Sequence, residues 1–565
     1  MWKQSPTRIN VMFQYDPALV QKFKQEVDGR TWNGEGKYWT FPSPQIVSAV
    51  RVFGGPKHIT AEQDVKDIYN EELKRKQNLN DIRKQEDSHS IKDILDSKLK
   101  LPLYNYQNVA VEFANVANGR IVIADQQGIG KTATAIGYIE YNDLTALVIC
   151  PKSVVIGWVR EIQRFTGVTA TVWSVKGPSG PLNARYHVVN YDIVDRFVDN
   201  FNKLKADVLV CDEATFIKNK KTRRTKSIFG DGRKKQQYPG IKTKHCLFLT
   251  GTPVMNKPTE VFTLLNFLDP LRFNNFYHFI TKYGGWRGEP PKNLSDLHER
   301  TKNLIIRRLR SDVLPELPPK QRNDLYVELS SSEMREYTNL LNGVFRKWKT
   351  SGRPSVAEMP PIQQFLISKK IPRLIELIDE ILEQGRSVLV YCTYIDPLIQ
   401  LNKHYGDLSE MVIGKYTGAR RQESIDRLSS GKAKVGLFSI GAGSMGIDGL
   451  QNSIDTVVFL DRYWIPSMHE QAEDRITRIG QKSSVSCYYM TCVDTIDEYM
   501  RILLKEKQEI IDTIIDGKVI NPAATRSMFR EFVGLLKKNY VSKLNKLSLD
   551  TIIEDDIGET VVEMG

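Results

Sequence analysis

Nine short runs of branched apolar residues, each followed by a helical pattern, constrain the fold of this chain more than any other feature. Five come early: IVIAD (121–125), ALVICP (146–151), YHVVNY (186–191), DVLVCDE (207–213) and CLFLTGTP (246–253). Four come late: SVLVYCTY (387–394), KVGLFSI (434–440), DTVVFLD (455–461) and SCYYMTC (486–492). A strand that is apolar on both faces has to be covered on both faces, which is the condition of a parallel sheet flanked by crossover helices. The grouping therefore predicts an α/β chain with two parallel-sheet lobes in tandem.

With 565 residues the chain has room for both lobes and further domains. Hydrophobic residues at 41% and charged residues at 26% exclude a disordered or fibrous chain. The amino-terminal MWKQSPTRINVMF has no apolar signal-peptide stretch, and no run of about 18 apolar residues occurs. An intracellular, soluble protein with no membrane association is expected. Cys150, Cys211, Cys246, Cys392, Cys487 and Cys492 form no paired C-x-x-C clusters and mostly sit in apolar runs. They read as small buried hydrophobes, with no structural metal cluster. The net charge of +13 points to an anionic partner, of which DNA or RNA is the commonest.

Three motifs carry chemistry. DQQGIGKT (125–132) follows a strand and opens a helical stretch, which is the setting of a phosphate loop. Its backbone N–H groups and the helix N-terminus would face phosphates, with Lys131 as a mobile cation and the Thr132 hydroxyl on magnesium. Gln127, Gly128, Ile129, Gly130 and Ala133 complete the expected nucleotide cradle. Asp125 stands where the general pattern has glycine. In VLVCDEAT, Asp212 and Glu213 end an apolar strand. Asp212 is expected to hold magnesium, and Glu213 to orient and deprotonate the water that attacks a phosphoanhydride. In QAEDRITRIGQ (471–481), Gln471, Arg475 and Arg478 are spaced for one helical face, from which the arginines would reach the γ-phosphate across the cleft. A solvated basic helix paired with Glu470, Glu473 and Asp474 is the alternative.

LYNYQ (103–107), DQQGIGKT, CPKSVVIGWVREIQRF (150–165), DEATFIKN (212–219), LTGTPVMNKPTEVFTLLNFLDP (249–270), RRLRSDVLPELPPK (307–320), GAGSMGIDGLQ (441–451) and QAEDRITRIGQ occur in this order. Together they resemble Swi/Snf-type DNA-dependent ATPases of helicase superfamily two over residues 100–515. The resemblance implies two RecA-like lobes, ATP and Mg2+, and double-stranded or forked DNA as partner. It gives Gln107 the adenine position and Gly251 and Thr252 the coupling motif. It puts Gly446 and Asp448 in a loop touching ATP and nucleic acid, and makes Gln471, Arg475 and Arg478 the arginine-finger set. Thr215 and Thr477 stand where the family often has His, which bears on coupling.

The stretch 8–42, with YDP, DGR and KYWTFP, resembles the HARP-type domain found ahead of the motor in annealing helicases. Arg30 and Lys37 are the expected DNA contacts there. Tyr38, Trp39 and Phe41 could stack on bases, but Trp32, Trp39 and Phe41 read more readily as the core of a small α+β domain, which is how most such aromatics are used. Further candidate contacts at strand ends are Lys152, Ser153, Asn190, Tyr191 and Thr393. The basic run 218–245 is either a phosphate-binding surface or a solvated face.

The expected organisation is a HARP-like domain (1–55), a charged helical linker (56–99), lobe one (100–268), helical insertions and hinge (269–365), lobe two (366–515) and a helical, acidic tail (516–565). A DNA translocase with an annealing or remodelling role in replication or repair fits best. The rivals are a strand-separating DNA or RNA helicase and a non-catalytic, nucleotide-switched DNA-binding scaffold.

Overall fold

A computed structural model describes residues 1–517 apart from 232–237, 255–256, 285–290, 315–319, 352–357, 417–418, 444–448, 479 and 482. Gly446, Asp448 and nearly all of the expected tail lie outside the described residues.

The amino-terminal unit is a four-stranded antiparallel sheet in the order Trp2–Ser5, Arg8–Val11, Tyr38–Pro42, Thr31–Asn33. The YDP sequence starts its first helix, Pro17–Glu26: Asp16 accepts from the amides of Ala18 and Leu19, and Pro17 supplies a preset φ at the first position. Ile9, Val11, Phe23, Phe41 and Ile46 form the core, with Trp39 packed against it. Phe41 is therefore a core residue. Trp32 is exposed on the edge strand and leans on Trp39 at 5.0 Å between ring centroids.

The charged connector is helical, as its composition suggests, in two segments, Gln63–Ile82 and His89–Lys98. Its first helix buries Val65 in the amino-terminal core and Leu79 and Ile82 in the core of the next unit. It is thus fastened at both ends.

The first lobe is an eight-stranded sheet in the order Ile305–Ile306, Arg120–Ile123, His245–Leu249, Val208–Asp212, Ala146–Cys150, Tyr186–Asn190, Thr171–Ser174, Gly177–Ser179. Only the last pair is antiparallel. Side chains alternate between two cores, one on each face: Leu147 and Ile149 point to one, Ala146 and Val148 to the other. The second lobe is a six-stranded parallel sheet in the order Lys320–Val327, Val485–Cys492, Thr456–Phe459, Val388–Cys392, Val435–Ser439, Ser409–Val412. All nine apolar runs are strands of these two sheets. The six cysteines are buried and unlinked.

The segment 269–365 differs from a purely helical insertion. Ile305–Ile306 pairs with Val122 and Ile123 at one edge of the first sheet, and Lys320–Val327 pairs with Val485–Cys492 at one edge of the second. The former spans two residues. The latter reads KQRNDLYV, polar because an edge strand keeps one side in water, so neither carries an apolar signal. The helix Ile496–Asp516 leaves the second lobe and buries Ile510, Ile511, Ile514 and Ile515 in the first lobe's core beside Leu294 and Leu297.

Candidate functional site

Strand Arg120–Ile123 delivers its chain to the carboxyl edge of the first sheet, where Asp125–Gly130 turn into the helix Lys131–Tyr141. Gly128 and Gly130 have φ of +83° and +81°, a region that favours glycine. A Cβ on Gly130 would lie 2.4 Å from Gln107 Nε2, so the close approach also excludes a side chain. Gln107 is buried: Nε2 donates to the Ile129 carbonyl at 3.1 Å and Oε1 accepts from the Tyr104 amide at 3.0 Å. Lys131 Nζ donates to the carbonyls of Asp125 (2.9 Å) and Gln126 (3.3 Å). Burial pulls the Lys131 ammonium down, opposed by the carboxylates of Glu213, Asp125, Asp212 and Asp474. Thr132 is on the first helical turn and Ala133 and Ile129 are buried beneath the loop.

Asp125 has a structural reason to replace glycine. Its buried carboxylate accepts from the Arg308 amide at 3.1 Å, from Arg308 Nε at 2.9 Å and from Arg308 Nη2. This buried ion pair ties the loop to the stretch that follows strand Ile305–Ile306.

Two strands away, Val208–Asp212 ends in the acid pair. Trp158, from helix Val155–Thr166, donates its indole N–H to Asp212 Oδ2 at 2.8 Å, and Tyr191 Oη donates to the Asp212 carbonyl at 2.7 Å. Glu213 has φ of +49°, a left-handed conformation that costs a non-glycine residue free energy and aims its side chain into the cleft. Gln127 Nε2 donates to Glu213 Oε1 at 3.2 Å, joining the loop to the acid pair. Burial raises Asp212. Burial and the neighbouring Asp212 charge push Glu213 up to about 6, with Lys131 and Arg475 pulling the other way.

Arg475 belongs to the second lobe, so the cleft is shared. The helix Pro466–Glu473 stops at Glu473, and residues 474–478 form turns. Gln471 is on the helix, whereas Arg475 and Arg478 lie beyond its end, which corrects the single helical face expected from spacing. The turn is not a solvated basic face either. Glu473 is fully buried and accepts from Lys320 Nζ (2.7 Å), from Arg322 Nε (2.8 Å) and from Tyr489 Oη (2.7 Å). Arg475 is buried, and the side chain of Arg478 reaches the loop, its Cγ 3.7 Å from where a Cβ on Gly128 would be. Thr477 is buried and donates to the Glu473 carbonyl at 2.9 Å.

The other expected contacts divide by burial. Lys152, Ser153 and Lys37 are exposed. Tyr191 does not offer its ring to a partner: it is buried, stacked on Phe216 at 5.5 Å, with its hydroxyl used on the acid-pair strand. Asn190 caps the following turn by accepting from the Asp192 amide at 3.0 Å. Thr393 donates its amide to the buried Asp461 at 2.9 Å. Arg30 Nη1 donates to the Val27 carbonyl at 2.8 Å, folding back on its own turn. Within the basic run, Lys218 pairs with Glu260 (3.0 Å) and Arg224 with Asp192 (3.0 Å), so part of its charge is neutralised internally.

Trp158, Gln126, Arg308, Arg310 and Asp474 carry weight that sequence reasoning did not assign. For Arg308 and Arg310 a signal existed: a charged cluster, RRLR, directly after a strand.

The fold and site define a two-lobed α/β protein of helicase type, with a phosphate loop in one lobe facing an arginine-bearing turn of the other. Residues 65–374 match the SNF2-related domain and residues 369–480 the helicase conserved C-terminal domain. The chain belongs to the SNF2-related family. It is 30% identical over 443 residues to the SWI/SNF-related matrix-associated actin-dependent regulator of chromatin subfamily A-like protein 1 of Xenopus tropicalis, covering 74% of this chain and 45% of that protein. It is 28% identical over 536 residues to the Bos taurus protein of the same name, covering 90% and 54%. To the DNA annealing helicase and endonuclease ZRANB3 of Mus musculus it is 26% identical over 474 residues, covering 76% and 42%. The chain spans about half the length of these relatives. Among the described residues no helix is long and apolar enough to cross a membrane.

Proposed function

We propose that the chain is a DNA-dependent ATPase that tracks on double-stranded or forked DNA and remodels or anneals it. The observation that carries this reading is the placement of half-buried Glu213 beside Asp212 and Lys131 of one lobe and within the field of Arg475 of the other. A carboxyl poised near 6 at the edge of a cleft suits a general base. Relatives that include a DNA annealing helicase, and the net charge of +13, support DNA as partner.

In this reading Gln107 reads the adenine edge, and the Gln127–Ala133 segment with Lys131 holds the phosphates. Thr132 and Asp212 would hold Mg2+, which neutralises phosphate oxygens when bound. The donor set fits: a hydroxyl on the first helical turn and a carboxylate fixed by Trp158. Glu213 takes the proton of the attacking water while Gln127 restrains its carboxylate. Arg475 and Arg478 stabilise the charge that develops on the transferring phosphoryl group, and Gln471 supports them from the preceding helix. Because they come from the second lobe, turnover requires closure, and alternation of closure and opening moves the lobes along a strand. Gly251, Thr252, Gly446 and Asp448 would couple the two events. Lys152, Ser153 and Thr393 at strand ends contact the DNA backbone, and the amino-terminal unit, with exposed Trp32 and Lys37, adds affinity for branched DNA.

The test is steady-state ATP hydrolysis with no nucleic acid, duplex DNA, forked DNA, single-stranded DNA or single-stranded RNA. Stimulation by duplex or forked DNA, lost in Lys131→Ala and Glu213→Gln, is expected. Stimulation by RNA alone would indicate a strand-separating helicase, and no turnover at all a switched scaffold; either result overturns the proposal.

A further inference from the structure

Arg310 bridges the two halves of the cleft. Its backbone belongs to the first lobe: the Arg310 amide donates to Gln126 Oε1 at 2.9 Å, and the Gln126 amide donates to the Arg308 carbonyl at 3.0 Å. The same short helix, Arg310–Val313, is followed by Leu314, which packs with Tyr106 and Ile129 beneath the phosphate loop. Its guanidinium belongs to the second lobe. Nη2 donates to Asp474 Oδ1 at 3.0 Å and Nη1 donates to the Thr477 carbonyl. These acceptors lie on either side of Arg475 in the turn that also carries Arg478. Arg310 and Asp474 are buried, so the pair is weakly screened and its geometry is enforced. Gly128 of the loop lies close by: a Cβ there would lie 3.6 Å from the Thr477 carbonyl, 3.7 Å from Arg478 Cγ and 3.9 Å from Arg310 Nη1.

We propose that Arg310 is a positioning residue that sets the Arg475–Arg478 turn against the phosphate loop, so that arginine placement and loop conformation are read by one side chain. The inference rests on the assignment of Arg475 and Arg478 to transition-state stabilisation. A planar fork with two donors can hold a carboxylate and a carbonyl one turn apart; a lysine ammonium reaches one of them with defined geometry. Loss of Arg310 leaves the turn attached to its own lobe through Lys320, whose Nζ donates to Asp474 at 3.3 Å, but without this bridge to the loop. The defect is therefore specific to the step in which the arginines act.

The experiment uses the full chain and the variants Arg310→Ala, Arg310→Lys and Gln126→Ala, each with a thermal melt to confirm folding. Two affinities are measured, for Mg·ADP and for Mg·ADP with aluminium fluoride, alongside DNA-stimulated turnover. A positioning role predicts that Arg310→Ala weakens the aluminium fluoride complex by about tenfold or more while ADP affinity stays within about twofold, since only interactions that strengthen in the transition state are lost. Turnover falls in parallel at little changed KM. Arg310→Lys recovers part of the loss. Gln126→Ala, which releases the backbone end of the bridge without touching the guanidinium, shows the same pattern more weakly. An unchanged ratio of the two affinities in a folded Arg310→Ala protein overturns the proposal. If that variant does not fold, an unchanged ratio in Gln126→Ala overturns it instead. Failure of the underlying reading has a different signature: Arg475→Ala and Arg478→Ala would then leave the aluminium fluoride affinity of the parent intact.

Discussion

Trp158 donates its indole N–H to the Asp212 carboxylate at 2.8 Å, so the residue proposed to bind Mg2+ is oriented from a neighbouring helix. Trp158 is itself buried, and a phenylalanine would fill most of its space while removing the donor. Trp158→Phe is expected to raise the Mg2+ concentration for half-maximal ATP hydrolysis by about tenfold, the usual range for loss of an outer-shell partner. A Mg2+ titration of turnover at saturating ATP and DNA checks this. An unchanged midpoint would mean that Asp212 needs no help from the indole.

Glu213 is held up to about 6 by burial and by the Asp212 charge. As a base it acts only when ionised, so kcat/KM rises with pH through about 6 and levels above it, falling about tenfold per pH unit on the acid side. The sign is fixed by the role: a group required as an acid would give the opposite limb. A pH–rate profile between 5 and 8 with duplex DNA measures it, and Glu213→Gln lacks turnover at every pH. A flat profile down to pH 5 would remove Glu213 from the role of base.

The two sheets and the strand–loop–helix turn at 125–131 were legible because they depend on local signals, apolar runs and closely spaced glycines. What was not legible depends on distant pairing. Lys320–Val327 is a strand only because Val485–Cys492 offers it an edge. Asp125 departs from the loop pattern because Arg308, 183 residues later, fills the space with charge. Tyr191 stands at a strand end, the place of a candidate nucleic-acid contact, yet Phe216 and the Asp212 carbonyl claim both its ring and its hydroxyl. Arg475 and Arg478 were found by spacing on a helix that in fact ends before them; the loop's proximity, not helical periodicity, brings them to the site.

The DGR turn of the amino-terminal unit is a docking element. Asp28 pairs with Arg300 at 2.5 Å and with Arg272 at 3.5 Å, both on the first lobe's helical insertion, and Arg300 Nη2 donates to the Gln25 carbonyl at 2.7 Å. Gly29 has φ of +66°, and a Cβ there would lie 2.0 Å from the Leu271 carbonyl oxygen. Gly29→Ala therefore cannot keep both its conformation and the contact. It is expected to undock the unit, as is Asp28→Asn, which removes the carboxylate that Arg300 and Arg272 share and leaves Arg300 with Asp296 of its own lobe. Cleavage in the connector by a low dose of trypsin should accelerate in both variants while motor turnover without DNA is retained. Cleavage at the parental rate in both would show that the turn does not hold the units together.

Glu473 anchors the second lobe's arginine turn to the edge strand that the sequence concealed. Lys320 and Arg322 of that strand and Tyr489 of its neighbour satisfy both carboxylate oxygens, the arginine in fork geometry. Burial opposes ionisation, but the two cations prevail and lower the carboxyl from its ordinary 4.5 to about 2. A carboxylate lowered in the fold binds protons more weakly there than in the unfolded chain, so its contribution to stability is complete above pH 4.5 and is lost as the pH falls toward 2. Glu473→Gln removes the charge at every pH and takes the shared carboxylate from Lys320 and Arg322, leaving Lys320 with Asp474 and half-exposed Arg322 to water, and so destabilises the lobe near neutrality. Thermal melts at pH 7, 5, 4 and 3 should show the parent losing stability on acidification and the gap to Glu473→Gln narrowing as it does. A gap that stays constant down to pH 3 would show that titration of Glu473 contributes nothing to the acid lability of the lobe.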